Sequence, residues 1–62
     1  MSYEKRIIKA AEEILEKFEP YENFSSFADM VCLFAGFKIS EINFVSDILK
    51  EFGYAARINS KN

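Results

Sequence analysis

The chain of 62 residues has no histidine and a single cysteine, and these two scarcities exclude several kinds of site. Because Cys32 is the lone thiol, no disulfide can form within the chain. A structural zinc site needs four nitrogen or sulfur ligands, which this composition cannot supply. The commonest general base of enzymes is missing, as is a glycine-rich phosphate loop. We therefore expect a protein that is not an enzyme and that holds no cofactor or metal.

Long apolar runs and an excess of positive charge are also missing. No stretch reaches the ~18 apolar residues of a membrane span, and the N-terminus lacks the basic-then-apolar order of a secretory signal. A lone, unpaired cysteine fits a reducing compartment. The net charge is −2, so the chain lacks the strong positive field of a typical phosphate binder. We expect a cytoplasmic protein that does not contact a membrane.

Apolar and aromatic residues, in contrast, are plentiful. They make up 50% and 16% of the chain, with seven Phe and three Tyr. A domain of this size buries only about 60% of the surface of its unfolded chain, although large rings supply much buried area each. The composition predicts one domain over residues 1–62, with residues 59–62 as a frayed tail. It also predicts more apolar surface than one small core can hide.

The spacing of the apolar residues predicts an all-α fold of three helices. Apolar side chains recur at three- and four-residue steps over residues 2–18, 24–35 and 40–52. The short segment after the third helix is expected to lay Tyr54 and Ile58 along the core. The fold class is therefore a three-helix domain, with a tight corner between the second and third helices.

Polar residues, glycines and a proline mark the ends of these helices. Pro20 disfavours helical geometry at the residue before it, so the first helix should end near Phe18. Gly36 and Gly53 fit the left-handed position that ends a helix, with an aromatic residue following each. The predicted N-caps are Ser2 for the first helix, one of Asn23, Ser25 and Ser26 for the second, and Ser40 for the third, with Ile39 and Phe44 as its hydrophobic staple.

The second predicted helix is apolar on every side. From Phe27 to Ala35 only Asp29 is polar, and a helix that is apolar all round is normally buried all round. Two neighbouring helices cannot cover every side, so the pattern predicts a subunit or partner interface. The pattern does not tell which of the candidate anchors point into the core and which point outward. The candidates are Phe24, Phe27, Met30, Leu33, Phe34 and Phe37.

These features predict a non-catalytic protein–protein interaction module, which we expect to be a homodimer or to bind another protein. Phe, Tyr and Met are favoured at the centres of such interfaces. The small size and the Lys-, Asn-, Ile- and Phe-rich composition suggest an accessory or inhibitory protein of a phage or mobile element.

Residues 28–54 resemble a helix-turn-helix of the winged-helix kind. A small residue, Cys32, precedes the turn glycine Gly36 by one helical turn, and Ile42 and Val45 follow as apolar anchors of the next helix. The segment from Leu49 to Tyr54 is similar to the end of a recognition helix that enters a wing.

The resemblance implies a second possible function, that of a small nucleic-acid-binding regulator. A recognition helix places its exposed residues against the major groove and the phosphates. Here Glu41, Asp47 and Glu51 oppose that role, because DNA repels acidic side chains. The residues that would contact nucleic acid under this alternative are Lys38, Asn43, Lys50, Arg57 and Lys61.

Three further patterns are interpreted as structural. Ser46 and Lys50 are one turn apart, but no oxyanion or pocket element accompanies them, so a solvated helix flank is the better interpretation. Glu12 and Glu16 share a helix face that we expect to be solvated. Cys32 falls in the most apolar stretch, where burial is expected to leave the thiol unreactive.

Overall fold

The computed structural model describes residues 2–18 and 23–59, and these residues form helices joined by short connections. The elements are α1 (Tyr3–Phe18), α2 (Phe24–Phe34), a 3₁₀ turn (Ile39–Glu41), α3 (Ile42–Glu51) and α4 (Tyr54–Asn59). The two described ranges contain no strand. The predicted all-α fold is confirmed, and a helix lies at each of the three predicted places.

The first two helices begin at the polar residues that the sequence singled out. The Ser2 hydroxyl accepts a hydrogen bond of 3.2 Å from the backbone N–H of Lys5. At α2, the Asn23 side-chain oxygen accepts a bond of 2.8 Å from the N–H of Ser26. Among the three candidates for this position, the structure thus selects Asn23 as the N-cap. The first helix ends at Phe18 as predicted, while Pro20 lies outside the described residues.

Gly36 ends α2 in the way its sequence position predicts. Its φ angle is 87°, in the left-handed region that side chains with a Cβ rarely enter. The N–H of Gly36 donates to the Leu33 carbonyl at 3.1 Å, and the N–H of Phe37 donates to the Cys32 carbonyl at 3.0 Å. This pair of bonds is the Schellman arrangement, and it turns Phe37 back toward the core. Gly53 ends α3 with a similar φ angle of 86°.

The start of the third helical segment differs from the prediction. Ser40 is not the N-cap, because it lies inside a 3₁₀ turn that precedes α3. The chain enters this turn at Lys38, whose N–H donates to the Glu41 carboxylate at 2.9 Å. In return, the N–H of Glu41 donates to the Lys38 carbonyl at 2.8 Å. The Glu41 carboxylate therefore accepts from the backbone N–H of the residue at which the chain enters the turn.

A fourth helix forms the short segment that was expected to lie along the core after the third helix. Helix α4 spans Tyr54–Asn59 and so includes the first residue of the predicted frayed tail, while residues 60–62 lie outside the described ranges. Tyr54 and Ile58 are buried as predicted. They are four residues apart, which places both on one face of a single turn of helix.

The core is formed by one apolar face of each helix and by the ring of Phe37. It contains no buried polar or charged residue within the described ranges. Its members are Ile7, Ala10, Ala11, Ile14 and Leu15 from α1, Phe27, Ala28, Val31 and Cys32 from α2, Phe37, Val45, Ile48 and Leu49 around α3, and Tyr54 and Ile58 from α4. Helix α2 packs against all the other helices. These helices lie on its inner side and leave its outward side exposed to solvent.

Candidate protein interface

The outward side of α2 carries three large apolar side chains in consecutive turns. Met30, Leu33 and Phe34 are 43%, 59% and 51% exposed. Their spacing of three and four residues puts them on one stripe, which we call the α2 patch. The inner stripe of the same helix, with Phe27 and Val31, is 0% exposed. The α2 patch is therefore an apolar surface that no described helix covers.

The structure separates the six predicted interface residues into three groups. Met30, Leu33 and Phe34 form the α2 patch. Phe27 and Phe37 are 0% and 8% exposed, so both belong to the core of the folded chain. Phe24 lies between these groups. It is half-buried, its ring centroid is 6.4 Å from that of Phe27, and the Lys50 ammonium lies 6.0 Å from it on the side of α3.

Arg6 connects the start of α1 to the end of α2, a contact that was not predicted from the sequence. Its guanidinium donates a hydrogen bond of 2.7 Å to the carbonyl of Ala35. It also lies 4.5 Å from the ring centroid of Phe37 and 5.7 Å from that of Tyr3. A cation at a helix C-terminus satisfies a free carbonyl and complements the helix dipole. Arg6 thus fixes the position of the α2 C-terminus, next to the α2 patch.

A cluster of three aromatic rings extends from the position of Arg6. The Tyr3 ring meets those of Phe37 and Phe44 edge-on, with centroids 5.8 and 6.2 Å apart, which is a favourable arrangement for rings. These rings, with Arg6 and Glu41, line an open groove of about 450 Å³. The cluster adds half-exposed aromatic surface near the C-terminal end of α2.

Phe34 connects the α2 patch to helix α1. Its ring lines a shallow groove of about 200 Å³ together with Lys9, Ala10 and Glu13. A second groove, of about 500 Å³, lies elsewhere along α1 between Ile8 and Phe52. Lys9 lines both grooves, so the charged outward side of α1 is bordered by an exposed phenyl ring on each flank.

Cys32 is in the interior, as its sequence context predicts. Its thiol donates to the carbonyl of Lys38 at 3.2 Å, which links α2 to the connection before α3. Burial raises the pKa of the Cys32 thiol, and the charges of Glu41 and Asp29 raise it further. The neutral thiol is therefore favoured, and this is the less reactive form.

The opposite end of α1 is held to α4 by a polar cluster. The hydroxyl of Tyr54 donates to the Glu12 carboxylate, and the Arg57 guanidinium lies 3.3 Å from the same oxygen. Burial, together with the hydrogen bond to Glu12, raises the pKa of Tyr54 to about 12. Glu12 was expected to be only solvated. Its partners Tyr54 and Arg57 follow it by 42 and 45 positions in the chain, so local spacing could not predict these contacts.

The described basic residues of the nucleic-acid alternative lie among acidic side chains. Lys38, Asn43 and Lys50 are exposed, Arg57 pairs with Glu12, and Lys61 lies outside the described residues. The exposed side of α3 also carries Asp47 and Glu51. In place of a wing strand, the residues after Gly53 form α4.

Searches against protein-family models, curated proteins and solved structures found no match to this chain. Within residues 2–18 and 23–59, no helix combines the length and the apolar character needed to cross a membrane.

Proposed function

We propose that this chain is a non-catalytic protein–protein interaction module that forms a homodimer through the α2 patch. The observation that carries the proposal is the exposure of Met30, Leu33 and Phe34, at 43%, 59% and 51%, on a helix whose other side is fully buried. Contiguous exposed apolar side chains mark interaction sites more often than scattered ones do. Phe and Met are also enriched at the centres of interfaces.

The free energy gained by covering the α2 patch can be compared with the cost of forming a dimer. Covering the exposed half of a large apolar side chain contributes roughly 1 kcal/mol. A two-fold dimer covers the patch of each copy, for about 6 kcal/mol in total. Association itself costs roughly 4–15 kcal/mol. The α2 patch therefore supports a dimer only if neighbouring surface is covered as well, and the aromatic rings and grooves beside it supply that surface.

The proposal is tested with Met30→Glu and Leu33→Glu, each of which puts a carboxylate into the α2 patch. Size-exclusion chromatography with light scattering at micromolar concentration should give a dimer for the wild type and monomers for both variants. Circular dichroism should show unchanged helix content, because both side chains face outward. The matched control is Ser25→Glu, which adds the same charge to an exposed position of α2 about 12 Å nearer its N-terminus than Leu33.

Three outcomes would count against the proposal. A wild-type monomer at every concentration would remove the homodimer, and a variant dimer as tight as the wild type would move it to another surface. Retention of duplex DNA in a gel shift, weakening steeply with salt, would favour the nucleic-acid alternative instead. Lys38 and Lys50 would then be the first residues to replace.

A further inference from the structure

Four exposed charges form one stripe along the outward side of α1. Lys5, Lys9, Glu12 and Glu16 are all exposed. Their spacing of four, three and four residues keeps them within about 60° of arc on the helix. The two basic residues occupy the first half of the helix and the two acidic residues the second half. We call this set the α1 stripe.

The order of charges in the α1 stripe is not the order that stabilises a lone helix. Lys5 and Lys9 are four residues apart and repel each other, as do Glu12 and Glu16. A helix also favours acidic side chains near its N-terminus and basic ones near its C-terminus. The stripe runs the opposite way. Glu12 is explained by its bonds to Tyr54 and Arg57 of α4, whereas the side chains of Lys5 and Glu16 make no ion pair within the described residues.

A second copy of the chain does explain the order. The signs reverse about the midpoint between Ala10 and Ala11, because positions 5 and 16, and positions 9 and 12, carry opposite charges. If two α1 helices lie side by side and antiparallel about a two-fold axis, Lys5 of each copy faces Glu16 of the other. Lys9 of each copy lies near Glu12 of the other, but the Glu12 carboxylate already accepts from Tyr54 and Arg57 of its own chain. The arrangement therefore depends on Lys5 and Glu16. A parallel arrangement would bring like charges together, so the pattern selects one orientation.

The surroundings of the α1 stripe connect it to the apolar surface. Lys9 lines the groove that contains Phe34 of the α2 patch, and Lys5 and Lys9 line the groove that contains Phe52. A copy seated on the stripe would also cover both rings. Apolar contact would supply affinity, while the charges would set orientation and suppress other pairings.

We propose that the α1 stripe docks a second copy of this chain, with the two α1 helices antiparallel and Lys5 of each copy opposite Glu16 of the other. This inference rests on the proposed homodimer and adds the orientation of its two copies. A two-fold dimer uses the same surface on both copies, so each single substitution acts at two symmetric contacts.

The test is a charge exchange at Lys5 and Glu16, whose side chains make no ion pair within the described residues. Self-association is measured by sedimentation equilibrium at low salt for Lys5→Glu, Glu16→Lys and an equimolar mixture of the two. Each single variant should dimerise about tenfold more weakly than the wild type, because attraction becomes repulsion twice. The mixture should recover wild-type affinity. In a mixed dimer, the introduced glutamate of one copy faces the introduced lysine of the other, and the unchanged Lys5 faces the unchanged Glu16.

Controls separate orientation from net charge. Lys5→Glu and Glu16→Lys change the net charge in opposite directions, so a loss in both is not a net-charge effect. Lys17→Glu and Glu51→Lys change the charge by the same amounts at exposed positions outside the α1 stripe, and they should leave affinity within about threefold of the wild type. The loss in the single variants should shrink as salt is raised.

The results distinguish failure of the antiparallel α1 arrangement from failure of the homodimer itself. A dimer that Met30→Glu disrupts and the charge variants leave unchanged would overturn the antiparallel arrangement and keep the α2 patch. Weakened single variants whose mixture does not recover would also overturn the arrangement. A wild type that stays monomeric would overturn both. Circular dichroism of each variant confirms that helix content is kept, since all the substituted positions are exposed.

Discussion

The two sides of helix α2 are almost equally apolar, yet they differ completely in exposure. The inner side, with Phe27 and Val31, is enclosed by the other helices, while the outer side, with Met30, Leu33 and Phe34, meets solvent. Apolar composition thus does not decide burial here. The number of helices available to cover a surface decides it, and the helices of the described residues are too few to surround α2. Substitutions on each side of α2 test this difference in exposure.

The largest effect is expected from Phe27→Ala on the inner side. Removing a fully buried phenyl ring costs about 3–5 kcal/mol. A domain of this length has roughly 3–9 kcal/mol of stability in total, so the variant should lose between about a third and all of it, as measured by circular dichroism in urea at 25 °C. Phe27→Leu, a smaller change, should remain folded and give a measurable urea midpoint. If Phe27→Ala loses less than about 1 kcal/mol, the inner side of α2 is not the centre of the core.

An intermediate effect is expected at high pH from Tyr54, whose ring stacks on Phe27 at 5.9 Å. Its pKa is raised to about 12 in the folded chain, against about 10 in the unfolded chain. The neutral hydroxyl is therefore favoured by folding. Its contribution is fully present below pH 10 and is lost as the pH rises to 12. The loss is at most about 3 kcal/mol.

The pH effect is measured as the difference between wild type and Tyr54→Phe in urea unfolding from pH 9 to 12. The phenylalanine variant has no hydroxyl at this position to titrate, so its stability should fall less steeply over this range. Other groups titrate in both proteins and cancel in the difference. Parallel curves for the two proteins would show that the contact between Tyr54 and Glu12 does not hold α4 to α1.

The smallest effect on the folded monomer is expected from Leu33→Ala on the outer side. At the lowest usable protein concentration, the free energy of unfolding should change by less than about 0.5 kcal/mol, as for other exposed positions. The loss should grow with protein concentration, because the dimer stabilises the folded wild type by mass action. The loss in Phe27→Leu should not depend on concentration in this way. If the loss of stability depended equally on protein concentration in both variants, the outer side of α2 would not be distinguished from the inner side as the dimer interface.

Local periodicity predicted the three main helices because each has enough residues to show a repeating apolar face. It did not predict α4, since a helix of six residues spans less than two turns and depends on the burial of Tyr54 and Ile58. The outer and inner sides of α2 could not be distinguished either, because a helix that is apolar all round has no preferred face. The contact of Arg6 with Ala35 joins positions 29 apart in the chain, which no local pattern reveals.

The claim that another copy covers the outer side of α2 predicts the mass of the wild-type chain in solution. Sedimentation equilibrium over a range from low micromolar to high micromolar concentration should show a reversible rise from 7.2 kDa toward twice that mass. A mass that stays at the monomer value over the whole range, with the protein folded and soluble, would contradict the claim.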